Sequence, residues 1–414
     1  MMIRYELKKV FARTGSKVAL FLLAIVWCIA CRFATDVCWV NENGVDERGY
    51  AAVSRLRDAQ REWVGVLDEE RLRQVIEENR RINQTPQAKS SDIRERNIAY
   101  GWKQGIGGIR DLLNRSYAER FRYYDWYRAD SLRPEDASEF YRNRVRLLKE
   151  WLAGEGGDSD AVYRLSDTEK EYLVEQYEAL KTPFNYDYTK GWGQLFEYMP
   201  TIIMITMLIL GYLVAGIFSN EFSWKADAIF FSSVHGRGRA VAAKLEAGFL
   251  IVTVLYWTAV LAFSAAVLGY LGISGWNCPV QADSNSWKCF YNIQVWQEYL
   301  LVIGGGYIGC LLIGFMTMYV SARFKSAVLG VITPFVWIFL PSFLGNLNSA
   351  AANKVLGLLP DRLLQIHVAL SSFDLYELGG KVVGAVPILF VVYSVLTVVL
   401  MPLLYEEYRR KQAG

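Results

Sequence analysis

Residues 199–245 read MPTIIMITMLILGYLVAGIF, then SNEFSWKAD, then AIFFSSVHGRGRAVAAKL. The first block, Met199–Phe218, is apolar and long enough to cross a bilayer, which takes a helix of about 20 residues. The second is a short polar break carrying Glu221, Trp224, Lys225 and Asp227. The third brings Arg237, Arg239 and Lys244 up to the start of another apolar run. Membrane spans are built to avoid charge. A compact basic hairpin between two of them predicts a helix-turn element at one membrane face, suited to docking a soluble partner.

Further runs of the same kind lie outward from this stretch. Lys17–Thr35, Glu246–Leu271, Tyr299–Val320, Ala327–Leu344 and Val382–Leu404 join Met199–Phe218. Backbone polar groups in lipid are satisfied only in helices or closed barrels. Barrel strands alternate apolar and polar residues over about ten positions. These runs are longer and do not alternate, so the expected class is an all-α membrane protein with six transmembrane helices. The mean hydropathy of only +0.14 conceals two populations, because residues 41–197 are strongly polar. The expected organisation is an interfacial helix and first span over 1–35, a helical extracellular domain over 36–197, and spans two to six over 198–414.

Lysine and arginine set the orientation. One side collects Arg4, Lys8, Lys9, Arg13 and Lys17, the hairpin's Lys225, Arg237, Arg239 and Lys244, then Arg323, Lys325, Arg409, Arg410 and Lys411. The other side's short loops carry Arg32, Lys288, Lys354, Arg362 and Lys381. Both termini are therefore expected in the cytoplasm, with a basic inner face that needs no nucleic acid to explain it. Span one reads as retained, because Cys28 stands where a lipoprotein cleavage site needs an aliphatic residue. Ile3, Leu7, Val10 and Phe11 share one face of an amphipathic N-terminal helix.

The polar insert predicts helices over Tyr50–Asn79, with a restart capped at Asp68, over Ile93–Leu113, and over Ser116–Tyr127. Another opens at Pro134 and ends near Gly154. A capping box, Ser166-Asp167-Thr168-Glu169, starts the next. Gly154–Asp158 reads as a turn or loop. The insert's aromatic residues, Trp102, Tyr123, Trp126 and Tyr127 among them, are expected mainly in its core. The segment 346–381 is too polar to span and too apolar for a free loop, which fits a pair of short re-entrant or interfacial helices.

Readable chemistry is sparse. Neither a phosphate loop nor a Gly-x-Ser-x-Gly elbow nor a His-Glu-x-x-His pair occurs, and the histidines are His235 and His367. Glu246, Glu298, Arg32 and Asp36 stand at span ends, where they read as interfacial anchors. Cys28, Cys31 and Cys310 read as apolar fillers. Cys278 and Cys289 share one external loop, where either a disulfide or two thiols fits.

The order of Glu221 after span two, then a short helix, then Ser233, Gly236 and Arg237 or Arg239, and finally Lys244 at the entry of span three resembles the permease subunits of ABC-2-type ATP-binding-cassette exporters. The N-terminal interfacial helix and the half-inserted segment before the last span are similar to that family too. The resemblance covers about half the chain and implies that Glu221–Lys244 couples to a separate cytoplasmic ATPase. The ATPase would bind ATP and magnesium, so this chain would need no cofactor or catalytic site of its own. A second permease chain, identical or different, would complete the pathway in a plasma membrane of bacterial type. The large insert between spans one and two departs from the simplest members of that family and is similar to subfamilies that include sodium- and antimicrobial-peptide-related exporters; it leaves the cargo open, with a peptide-like or amphiphilic one expected. A rival of another class is a membrane sensor whose external helical domain binds a ligand.

Overall fold

The computed structural model describes residues 2–155, 165–344 and 350–411. Those residues are predominantly helical, with three short two-stranded antiparallel sheets. Among the described residues five helices are long and apolar enough to cross a membrane: α2 (Thr14–Ala34), α3 (Lys190–Ala215), α4 (Arg239–Leu271), α5 (Val295–Phe324) and α7 (Ala385–Arg409). They follow α1 (Met2–Phe11), and α6 (Ala327–Leu344) lies between the last two. Six spans were expected and five meet the criterion. The apolar stretch of α6, Ala327–Pro341, is shorter than the others and contains two prolines, Pro334 and Pro341. The chain is a multi-pass membrane protein by the length and composition of these helices.

The helices overrun the apolar runs that announce them. α3 begins at Lys190 rather than Met199, so Trp192 and Phe196 belong to the bundle. α4 begins at Arg239 and carries Lys244 within its second turn. α7 begins at Ala385, because Val382 lies in a strand, Lys381–Gly384, paired with Leu375–Leu378. Burial separates inner from outer helices: α5 is mostly buried and α2 mostly exposed. α3 and α5 form the middle, and α2 and α7 lie outside. Small residues let such helices approach closely. Gly211 of α3 accepts the ring of Pro334 from α6, where a side chain would collide with it.

The polar insert is helical as expected, with local corrections. Asp68 caps Glu69–Asn83 by accepting from the Arg71 amide, and the Ser166 and Glu169 box opens Asp167–Glu178. The long first helix breaks at Arg61, and Gly65–Val66 pairs with Asn185–Tyr186. The second divides into Ile93–Trp102 and Gly107–Ser116 around the glycines between them. Ser116–Tyr127 is not a helix: the Asn114 side chain binds the Trp126 carbonyl and the Ala129 amide, which folds this stretch back as a loop. Pro134 opens a 3-10 turn, and the α-helix proper is Phe140–Leu152. Of the insert's aromatic residues Tyr117, Phe121, Phe140 and Trp151 are buried as expected, whereas Trp102, Tyr123, Trp126 and Tyr127 are exposed. The expected turn over Gly154–Asp158 lies partly outside the described residues.

The insert does not end in a separate core. Phe121, Trp151 and Tyr177 pack in one cluster with Phe290 from the loop before α5 and Phe373 from the segment before α7. Arg144 bolts the same junction. Its Nη2 donates to the carbonyls of Trp287 and Cys289, both at 3.0 Å, and its guanidinium lies 4.2 Å from the Tyr177 ring centroid. The described part of the semi-apolar segment forms short helices, Ala350–Leu356 and Ile366–Leu370, with a 3-10 turn, Pro360–Gln365, between them. Lys354 reaches back to the fully buried Glu169 at 2.6 Å, tying this segment to the insert.

Candidate functional site

The helix α1, the stretch between α3 and α4, and the C-terminal ends of α5 and α7 meet at one end of the bundle. Those are the elements whose lysines and arginines set the expected orientation. In the hairpin, Asn220–Ser223 and Asp227–Ser232 are short helices. Between them the Ala226 amide donates to the Glu221 carbonyl and the Lys225 amide to the Phe222 carbonyl. This is a Schellman closure, whose left-handed position usually holds glycine. Here Lys225 occupies it, at φ 53°.

Glu221 and Lys244 face each other inside this closure. Lys244 is 0% exposed. Its Nζ donates to Glu221 Oε1 at 2.8 Å, to the Ile217 carbonyl at 2.6 Å and to Glu6 Oε2 at 3.3 Å. Lys9 Nζ then bridges the same carboxylates, 2.8 Å from Glu6 and 3.2 Å from Glu221. The Tyr408 hydroxyl of α7 stands 3.5 Å from the other Glu221 oxygen. Two ammoniums and two carboxylates thus alternate, and the cluster is neutral. Burial opposes the charged form of Glu221, but Lys244 and then Lys9 outweigh it and hold its pKa below the usual value. Burial likewise opposes the Lys9 ammonium, and its bonds to Glu6 and Glu221 raise its pKa instead.

Aromatic rings close the cluster from below. Phe218, Phe222, Phe230 and Phe231 all pack around the ring of Tyr408. Lys325, from the turn after α5, sits 4.9 Å over Phe222. The outer face of the hairpin is different. Trp224 is 56% exposed, Ile229 76% and Val234 95%. Lys225, Arg237 and Arg239 are exposed beside them. Arg237 also donates to the carbonyls of Phe231 and Arg409, both at 3.3 Å, which fixes the tip to the end of α7. Asp227 is buried in the first turn of its short helix.

The residues singled out in the sequence therefore separate into two groups. Glu221, Lys244 and Asp227 point inward and hold the hairpin. Trp224, Lys225 and Arg239 are available on its surface, and Arg237 does both, being exposed while it ties the tip to α7. Glu6, Lys9 and Tyr408 complete the inner group and were not singled out. The i,i+3 spacing of Glu6 and Lys9 was a signal for their own pair, but nothing local announced the hairpin as their partner.

A second buried charge lies at the opposite end. Glu298 was expected as an interfacial anchor and is instead 2% exposed, in the first turn of α5. One of its oxygens is 2.6 Å from His367 Nδ1. The imidazole stacks on Phe196 of α3, with centroids 5.2 Å apart and planes 17° from parallel. Burial disfavours the imidazolium, yet the hydrogen bond and charge of Glu298, with Asp283 and Glu197 beyond, leave the His367 pKa above its ordinary value. The other expected anchors behave differently. Glu246 is exposed, and Asp36 pairs with Arg32 at 3.0 Å and also with Arg48.

Cys278 and Cys289 are buried free thiols, and the disulfide open to them in the sequence does not form. The Cys278 carbonyl caps the start of α5 by accepting from Val295, while the Cys289 thiol is turned toward the Tyr291 carbonyl at 3.9 Å. Burial pushes both thiols up to about 12. Among the described residues no group of His, Cys, Asp and Glu could hold a metal ion. No family model, curated protein or solved structure matches the chain.

Proposed function

We propose that this chain is the permease subunit of an ATP-driven exporter, worked by a separate cytoplasmic ATPase of the ATP-binding-cassette class. The observation that carries the reading is the division of the hairpin. An exposed apolar and basic tip is fastened, through a buried neutral charge cluster, to α1, α3, α4 and α7 at once. A push on Trp224, Arg237 or Arg239 would reach four helices through rigid contacts rather than bend a loop. Such a push shifts a two-state equilibrium only if the partner touches the tip differently in its two states. ATP and magnesium belong to the partner, and a second permease chain completes the pathway. The polar insert, with its exposed Trp126 and Tyr127, would face outward and meet a peptide-like or amphiphilic cargo.

The test is an affinity purification from native membranes in mild detergent, with co-eluting chains identified. The expected result is a stoichiometric ATPase bearing a phosphate-binding loop. Substituting Arg237→Glu together with Arg239→Glu should release that ATPase or uncouple its hydrolysis from export. A homo-oligomer with no ATPase, under conditions that preserve other such complexes, would replace this reading with that of a membrane sensor.

A further inference from the structure

At the end of the bundle away from the hairpin, a cavity of about 360 Å³ opens between the first turns of α3, the start of α5, the loop at residues 280–286 and the helix Ile366–Leu370. Its wall includes the carboxylates of Glu197, Asp283 and Glu298, the imidazole of His367 and the rings of Trp192 and Phe196. No lysine or arginine lines it. Arg115 and Lys190 lie near the Asp111 and Asp283 pair, outside the lining.

Glu298 makes this more than an acidic patch. It is almost entirely removed from solvent, yet it reaches the cavity, and only one of its oxygens is hydrogen-bonded among the described residues. Asp283 is lightly held among the described residues: one oxygen accepts from the Asn285 amide at 2.8 Å and the other from the Thr189 hydroxyl at 3.4 Å. A buried carboxylate is costly unless a cation or several donors face it. Within the lining one imidazole faces three acidic side chains, and a further cation, Arg115, acts on Asp283 from outside it. Among the described residues no group of three or more such side chains could hold a metal ion. An extended organic cation fits better, with its charged head at the carboxylates and its body against the aromatic walls.

We propose that this cavity binds a small organic cation, an ammonium or guanidinium head on a short apolar body. Protonation of His367 puts a competing positive charge at the same carboxylates, so the affinity should fall as the pH is lowered through the histidine range. Glu197, Asp283 and Glu298 are the charged groups facing that ring. By reciprocity, the bound cation should favour the neutral imidazole.

The test is calorimetric titration of the purified full chain in nanodiscs with benzylammonium, with benzyl alcohol as the uncharged probe of the same shape. The proposal expects benzylammonium to bind about tenfold more tightly than the alcohol, and Asp283→Asn to remove most of that difference. Glu298→Gln should do the same. Asp283→Asn is the safer variant because it leaves the bond between Glu298 and His367 in place. Equal binding of the two probes, or a preference for the cation that survives both substitutions, overturns the proposal. The titration needs no ATPase, so a negative result leaves the exporter reading untouched.

Discussion

At the hairpin end, Lys244 and Lys9 alternate with Glu221 and Glu6, and every charge has an opposite neighbour within 3.3 Å. At the far end, Glu298 faces His367 alone, with Asp283 and Glu197 nearby and a cavity in front. Both sites keep ionisable groups away from bulk water. The first is closed and neutral, so it can serve as a fastener. The second opens onto a cavity whose lining carries three acids and one imidazole, the arrangement on which the proposed cation site rests. Burial of charge alone does not separate these roles; the balance of charge and the presence of empty space do.

The comparison breaks most readily at Lys244. Lys244→Met should destabilise the folded chain by about 3 kcal/mol, because it takes the closest counter-charge from the buried Glu221 and leaves the half-exposed Lys9 as its remaining cation. Denaturant titration in detergent would measure this. Adding Glu221→Gln to that variant should recover part of the loss, and a double mutant no better than the single one would show that the cluster is not a coupled unit. At the other end, Glu298→Gln should cost less, about 1–3 kcal/mol, since an amide can still accept from His367.

The pH profile sharpens the contrast. The pKa of His367 is raised in the folded chain, so its bond to Glu298 contributes fully below the unfolded value, about 6.5. That contribution is lost as the pH rises through the higher folded value. The stability gap between the native chain and His367→Gln should therefore be widest near pH 6 and narrow toward alkaline pH. A gap that widens with rising pH would contradict the ion pair. The smallest effect belongs to Lys225, which sits in the left-handed region at φ 53°. Lys225→Gly should stabilise by about 0.5 kcal/mol, the relief of strain being partly offset by greater freedom when unfolded. Loss of stability in the thermal midpoint would mean that the Lys225 side chain itself holds the hairpin.

Much of the frame was legible because bilayer thickness imposes run length. The capping signals at Asp68 and Ser166 also held, since each depends on residues only three apart. Helix starts were misplaced wherever a polar residue is stabilised by distant packing, as at Trp192 and Lys244. Ser116–Tyr127 failed for the same reason, its loop being held by Asn114. In the hairpin, Glu221 and Lys244 could be picked out by order along the chain. Their inward direction could not, because it depends on Glu6 and Lys9 arriving from another helix. His367 and Glu298 are 69 residues apart, with no periodicity joining them.

The closed cluster also has a consequence for biosynthesis. Glu6 meets Lys244 across 238 residues of chain. At ordinary translation speeds that separation corresponds to about 10–50 seconds of synthesis. During that interval α1 has its own internal pair but not its final counter-charges, and it can rest at the bilayer surface with Lys9 in water. Emergence of α4 from the ribosome then supplies the ammonium that draws α1 against the hairpin. The lock on α1 thus closes only after the whole polar insert and α3 have been made, while α5, α6 and α7 are still to follow.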